Sequence, residues 1–267
     1  MADTTPVISV RNLTCGYGDV VIVNDVTFDI RRGEVFVILG GSGCGKSTLL
    51  KNMIGLIEPM AGQVFYGDDE LTAASGAARQ TIIRRFGVMY QMGALFGSMS
   101  VLQNVMLPLE EFTDLPAEAI ELIAKSKLAM VDMESAACKM PAALSGGMKK
   151  RAAIARAMAL DPGILFLDEP GAGLDPISSA VLDELILDLS KNLGITFVIV
   201  THELESIYKI ADRVIMLDKE VKSIVAEGDP RVLRDTSDNP SVRRFFLRQP
   251  DIHAPGLETD GQPAAQG

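Results

Sequence analysis

The stretch Gly40-Gly41-Ser42-Gly43-Cys44-Gly45-Lys46-Ser47-Thr48 constrains this chain more than any other part of it. It satisfies the G-x-x-x-x-G-K-[ST] pattern of a phosphate-binding loop in full. The apolar run Val35-Phe36-Val37-Ile38-Leu39 leads into it and predicts a buried strand, and Thr48-Leu49-Leu50-Lys51-Asn52-Met53-Ile54 leaves it with helical character. Glycine has no Cβ and tolerates positive φ, so successive backbone N–H groups can turn toward one anion. The helix that follows adds its partly positive N-terminus. Lys46 is then expected at the β- and γ-phosphates of a nucleotide and Ser47 at Mg2+. Cys44 lies in the same loop, next to a helix N-terminus and Lys46, a setting in which a thiol pKa is expected to fall.

The remaining runs alternate. Val7-Ile8-Ser9-Val10, Val20-Val21-Ile22-Val23, Gly62 to Asp68 and Phe86 to Gln91 read as strands. Between Gln91 and about Pro141 the character becomes helical and methionine-rich. Pro116-Ala117-Glu118 opens a helix there, with Ile120, Ile123, Ala124, Leu128 and Val131 at helical spacing. After Pro141 the rhythm returns: a helix from about Gly146 to Leu160, a strand at Ile164-Leu165-Phe166-Leu167 and a helix over roughly Pro176 to Leu193. A strand from Ile195 to Val200, a helix from about Leu204 and short strands near Arg213 and Ser223 complete it. Strands alternating with helices predict a mainly parallel sheet covered on both faces. The tail from about Gln249, rich in Pro, Gly, Ala and Gln, is expected to be disordered in isolation.

Two further patterns carry chemistry. The strand ending Leu167-Asp168-Glu169 offers a metal-holding acid, Asp168, and a water-polarising acid, Glu169, which a phosphate loop lacks by itself. In Leu144-Ser145-Gly146-Gly147-Met148-Lys149-Lys150-Arg151, Ser145 is a good helix N-cap. Three cations within the first two turns oppose the helix dipole. The conflict is expected to resolve if an anion occupies that N-terminus.

Taken together, Gly40 to Thr48, Gln91, Leu144 to Met148, Asp168-Glu169, Gly173-Leu174-Asp175-Pro176 and His202 stand in the order of an ABC transporter ATPase subunit, and the chain resembles that family up to about residue 230. The resemblance implies an α/β P-loop NTPase core of RecA-like type, with a mainly parallel sheet, an antiparallel β subdomain and an inserted α-helical subdomain. It divides the chain into 1–91 (core and β subdomain), 92–142 (helical subdomain, its signature running to about 158), 143–230 (core, second part) and 231–267 (C-terminal extension).

By the same resemblance the chain is an ATPase that uses ATP and Mg2+. Lys46, Gln91, Glu169 and His202 are implied in catalysis, and Ser47, Gln91 and Asp168 at the metal. Tyr17 would stack on adenine. Gly40, Gly41, Ser42, Gly43, Cys44, Gly45, Ser47 and Thr48 would cradle the phosphates. Ser145, Gly146 and Gly147 would grip the nucleotide of a second copy in a head-to-tail homodimer, with Asp175 helping to join the two subunits.

Met148 and the run Gly171-Ala172-Gly173 depart from the commonest family wording. With Gln91-Met92-Gly93-Ala94-Leu95-Phe96 and Gly173 to Ser179 they resemble the ATPases of MCE-associated lipid transporters of the Mla type. That resemblance implies phospholipid transport between inner and outer membranes, with an integral-membrane permease, an MCE-domain protein and a small STAS-domain protein as partners. Leu95 and Phe96 would meet the permease, and Val242, Phe245, Phe246 and Leu247 could seed contact with the neighbouring ATPase. A transporter for a small polar solute is the alternative.

A formal charge of −10 argues against a nucleic-acid partner. The start of the chain has neither a positive nor an apolar signal region, the three cysteines form no disulfide framework, and no apolar run spans a bilayer. The expected location is the cytoplasmic face of the inner membrane, peripherally attached. His253 is given no role.

Overall fold

The computed structural model describes residues 6–248. The tail from Gln249, with His253 in it, lies outside the described residues. In chain order the elements are β1 (Pro6–Tyr17), β2 (Val20–Arg31), β3 (Val35–Gly40), α1 (Lys46–Met53), β4 (Ala61–Tyr66), β5 (Asp69–Glu70), α2 (Gly76–Ile83), β6 (Phe86–Met89), α3 (Val101–Phe112) and α4 (Ala117–Ala129). There follow α5 (Gly146–Ala157), β7 (Ile164–Asp168), α6 (Pro176–Leu193), β8 (Thr196–Val200), α7 (Leu204–Ile210), β9 (Arg213–Asp218), β10 (Ser223–Gly228), α8 (Pro230–Thr236) and α9 (Pro240–Phe246). Two single 3-10 turns precede α5.

Six strands form one sheet in the order β10-β9-β3-β8-β7-β6, parallel throughout except for the β10–β9 hairpin. Four strands form a second, antiparallel sheet in the order β2-β1-β4-β5. The period-2 alternation of side chains explains how one parallel sheet serves two cores. Val35, Val37, Leu39, Leu165, Leu167, Phe197, Ile199, Val214 and Met216 face a core shared with α3 to α7. Their alternates Phe36, Ile38, Ile164, Phe166, Val198, Val200, Ile215 and Leu217 face a core shared with α1 and the antiparallel sheet. Aromatic stacking joins the layers, with Phe28 over Phe36 at 5.6 Å and Tyr66 over Phe86 at 5.0 Å between ring centroids. In α4, Ile120, Ala124 and Leu128 are buried as their spacing requires, as is Val131 just beyond it, and α3 opens on a reciprocal cap between Ser100 and Gln103.

The C-terminal helix departs from expectation. Val242 and Phe246 are buried in this chain's own core, where Phe246 meets Tyr208 at 5.9 Å between centroids. Burying such a side chain stabilises by about 1.5–3 kcal/mol. The helix therefore gains this within its own chain and needs no second copy to cover those residues. Leu247 stays exposed.

Sheet order places the site. The strands β3, β8, β7 and β6 lie side by side and run parallel, so the loops at their C-terminal ends emerge on one edge, where open α/β sheets take ligands. Those loops carry the phosphate loop, His202, Asp168-Glu169 and Gln91, in that spatial order.

Candidate nucleotide site

The phosphate loop ends at Gly45, which caps α1 at φ 101° with no side-chain hydrogen bond to the first turn. A Cβ there would stand 2.5 Å from Val23 Cγ2, so glycine is required both by its positive φ and by the approach of β2. The amides at the start of α1 receive no side-chain cap and are free to take an anion. Lys46 is buried, its Nζ donating to Gly40 O at 2.9 Å and Gly41 O at 3.1 Å, so the ammonium is held inside the loop it serves.

A cleft of about 650 Å³ opens on this loop. It is lined by Tyr17, by Gly40 to Gly43, by Gly45 to Thr48, and by Gln91, Glu169 and His202. Tyr17 is about half exposed at its mouth. Cys44 is the loop residue missing from the wall. It is buried beneath, and desolvation pushes its thiol up against the opposing pull of Lys46, contrary to the fall expected from sequence. Proximity to a helix N-terminus and a lysine lowers a thiol pKa only where the thiolate keeps some solvation, and here burial dominates.

Behind the cleft lining, Ser47 Oγ donates to Oδ1 of the buried Asp168 at 3.2 Å, so Asp168 reaches the site through Ser47 and not as a lining residue. Burial raises the Asp168 carboxyl, with the Ser47 bond and the charges of Lys51 and Lys46 pulling it back and Glu169 adding to the rise. An acid whose ionised form lacks solvation fits a bound cation, and hydroxyl, carboxylate and amide oxygens on Ser47, Asp168 and Gln91 are the hard donors that Mg2+ takes.

Glu169 is buried in a left-handed backbone conformation, φ 49°, with its N–H donating to Val200 O at 2.8 Å. One carboxylate oxygen, Oε1, lies 2.9 Å from Nδ1 of the exposed His202. The other, Oε2, is buried with no protein partner. The residue lines the cleft, and the unpaired oxygen leaves its carboxylate with capacity to accept a further hydrogen bond.

Ser145, Gly146 and Gly147 lie elsewhere. Ser145 caps α5 by accepting from Met148 N at 3.3 Å, and it and Gly146 are exposed. The tip packs beside Leu174 and Ser178, where a Cβ on Gly146 would meet Leu174 at 3.1 Å. Asp175 caps α6 in the same region, accepting from Ile177 N at 3.1 Å and Ser178 N at 3.0 Å.

Of the three cations after Ser145, Lys150 and Arg151 find acceptors within the chain, which corrects for those two the expectation that they await an anion; Lys149 is half-buried and makes no such bond among the described residues. Lys150 is buried, its charge disfavoured by desolvation, and donates to Glu169 O at 3.1 Å and to Gln91 O. Arg151 donates to Val131 O at 3.1 Å and Asp132 O at 3.2 Å. Arg156 donates to Ala94 O at 2.7 Å and Gly93 O at 3.1 Å. Beyond Gly93, the buried Asn104 accepts from Phe96 N at 2.8 Å and donates to Ser100 O at 2.9 Å. The loop is thus fixed at both ends, with Leu95 half-buried against the core and Phe96 and Met92 exposed.

A family model described as ABC transporter matches residues 23–172. The chain belongs to the ABC transporter ATPase family. It is an ATP-hydrolysing subunit with the P-loop α/β fold expected from its sequence. The intermembrane phospholipid transport system ATP-binding protein MlaF of Escherichia coli K12 is 39% identical over 240 residues, 90% of this chain and 88% of that one. A probable ribonucleotide transport ATP-binding protein of Mycobacterium leprae is 42% identical over 239 residues, 90% of this chain and 68% of that one. Among solved structures, the cassette MJ0796, a dimer in a post-hydrolysis state bound to ADP and Pi, matches with TM-score 0.75 at 29% identity, over 83% of this chain and 98% of that one. The protein cbiO1 of Clostridium perfringens, part of the ABC transporter complex cbiONQ, matches with TM-score 0.79 at 30% identity, over 91% and 96%.

Sequence reasoning missed three residues of this family site. Ile22 and Phe245 line the cleft, from β2 and α9. Neither carries a motif, and Phe245 comes from a helix that only tertiary packing brings to the loop. Lys150 was visible only as one of three cations, and no local pattern separates a buried lysine from a solvated one.

Proposed function

We propose that this chain powers the movement of phospholipid between the inner and outer membranes, as a pair of copies closing head to tail on two ATP molecules. The observation that carries the two-copy reading is the separation just described. The cleft walls hold Lys46, Gln91, Glu169 and His202, whereas Ser145-Gly147 form an exposed helix tip away from them.

In this reading Gly40 to Thr48 bind the phosphates through backbone amides, Lys46 leaves its carbonyl partners for the β- and γ-oxygens, and Tyr17 presents its ring to adenine. The Glu169 carboxylate accepts a proton of the attacking water and aligns it, while His202 contacts the γ-phosphate. Mg2+, held by Ser47, Gln91 and Asp168, supplies charge neutralisation at the phosphates when bound. Ser145 and Gly147 of the second copy close the far side, and Asp175 sits at the joint.

Residues 92–142 act as the helical lobe that meets an integral-membrane permease, with Met92 and Phe96 as its exposed apolar contacts. An MCE-domain protein and a small STAS-domain protein complete the assembly at the cytoplasmic face of the inner membrane. No helix among the described residues is long and apolar enough to cross a membrane itself. Phospholipid is favoured as cargo because the relative named for it aligns over most of its own length. The relative named for ribonucleotide transport speaks for a polar solute.

Isolation of the native complex from membranes decides between them. Co-purification of a permease and an MCE-domain protein with bound phospholipid is expected. A solute-binding partner, with ATPase activity stimulated by a polar solute, would overturn the cargo assignment.

A further inference from the structure

The amide and carbonyl of Glu169 are both engaged, by different parts of the fold. Its N–H is tied to the end of β8 through Val200 O, and its carbonyl accepts from Ala172 N–H at 3.2 Å in its own loop and from Lys150 Nζ of α5 at 3.1 Å. Such pinning matters because a glutamate at φ 49° sits in a conformation that L residues adopt only when the surroundings impose it. The same ammonium also takes the carbonyl of Gln91, at the head of the loop after β6. Two turns further along α5, Arg156 grips the carbonyls of Gly93 and Ala94. One helix therefore holds the backbone of both loops that carry Gln91 and Glu169, and that helix begins at Ser145.

We propose that Lys150 is a positioning residue that ties the backbones of Glu169 and Gln91 to α5, so that a shift of either loop is passed to the helix tip at Ser145-Gly147 of its own chain. The consequence rests on the head-to-tail reading above. The tip of each copy serves the other copy's nucleotide, so a displacement of Gln91 or Glu169 by the γ-phosphate at one site shifts the donors offered to the second site. Lys150 then couples the two sites of the dimer. It touches neither nucleotide nor water. A rod is required for this, and α5 supplies one: Ser145 and Lys150 are separated by under two turns of hydrogen-bonded helix.

The test uses the full chain carrying Lys150→Met, which keeps length and loses the donor, beside Lys150→Arg, whose guanidinium can reach the same carbonyls. For Lys150→Met we expect kcat to fall at least tenfold and the Hill coefficient for ATP to fall toward 1. Affinity of the isolated chain for a fluorescent ADP analogue should stay within twofold. Lys150→Arg should recover most of both kcat and cooperativity.

Mixed dimers separate coupling from local support. In one, Lys150→Met is paired with a Glu169→Gln partner, leaving active only the site whose Glu169 lost its strut. In the other, both changes sit in one subunit beside an unmodified one, leaving active only the site that borrows the altered subunit's tip. Loss in both arrangements is expected. Loss in the first alone, an unaltered Hill coefficient, or nucleotide affinity falling in step with kcat would overturn the proposal.

Should Lys150→Met fail to fold, Lys150→Arg in the same mixed dimers decides: near-normal turnover in both arrangements supports the lock, and loss in the first alone overturns it. The Glu169→Gln homodimer is examined first. If ATP fails to assemble it, the two-copy reading falls. If it assembles and Lys150→Met turns over normally, only this inference falls.

Discussion

Two helices in this molecule, α1 and α5, have N-termini built in opposite ways. At α1 the cap is Gly45, no side chain competes for the first amides, and the flanking loop, its Gly41 to Gly43 exposed, lines a cleft whose surroundings are furnished from four strands with Lys46, His202, Asp168, Glu169 and Gln91. At α5 the cap is Ser145, its hydroxyl already accepts from Met148 N–H, the tip is exposed, and Lys150 and Arg151 beyond it bend back to carbonyls of their own chain. The first is a nearly complete reaction site. The second has donors and no chemistry. A chain that carried only the first would bind nucleotide, and a chain that carried only the second would do nothing. In the head-to-tail reading proposed above they are the two halves of one site that a single copy cannot close on itself.

The largest expected effect lies on the furnished side. Glu169→Gln removes the buried carboxylate whose Oε2 has no partner. Loss of a positioned general base costs about 10²–10⁴ in rate. Turnover measured by phosphate release should fall by that range, while ATP drives accumulation of a dimer visible by size-exclusion chromatography. Rapid turnover by this variant would break the contrast at its stronger end.

The bare side gives a smaller but more diagnostic effect, because its signs split. A Cβ at Gly147 would meet only Ser178, at an ordinary 3.5 Å, so Gly147→Glu has room. Glutamate is a better helix former than glycine by roughly 0.5–1 kcal/mol, and an acid in the first turn suits the dipole. The isolated chain should therefore melt no lower than wild type, by calorimetry. Turnover should nevertheless fall about 100-fold, since a carboxylate replaces a donor surface facing a phosphate. Binding of nucleotide to the variant's own cleft should be unchanged. A variant that hydrolyses normally would mean that the tip meets no phosphate.

How far this contrast was legible in the sequence follows from what each feature depends on. The fully buried strands β3, β7 and β8 are continuous apolar runs, so they were read with nearly correct ends, and their order follows from the sheet they share. The long strands β1 and β2 were read only as short pieces. Arg11-Asn12 and Asn24-Asp25 look like breaks, yet they are bulges: Asn12 and Asp25 take positive φ, the register slips between Val10 and Leu13, and pairing then resumes. Helices α8 and α9 announce themselves by Asp229-Pro230 and Asn239-Pro240, cap followed by proline, a signal present but unread. The motif loops of the cleft were legible because phosphate chemistry demands particular residues at particular spacings. Lys150 and Phe245 were not, because their roles are set by which distant carbonyl or loop the fold brings to them.

The smallest effect tests the furnished side from beneath. Cys44 Sγ lies directly under Gly40, where a Cβ would approach it to 2.6 Å, and its side chain is almost wholly buried. Cys138 is exposed. A thiol reacts as thiolate. Desolvation raises the Cys44 pKa, so at pH 7–8 its thiolate fraction lies below that of an ordinary thiol, and access requires the loop to open. In the Cys138→Ser chain, alkylation followed by mass spectrometry should be slow at neutral pH and still climbing at the pH where an exposed thiol has levelled off. Nucleotide should slow it further by holding the loop shut. A fast reaction at pH 7, levelling early, would mean that the helix N-terminus and Lys46 outweigh burial, and the loop would then be an open nest whose floor is wet. The difference between α1 and α5 would in that case be one of furniture alone, since both N-termini would be solvated before any ligand arrives.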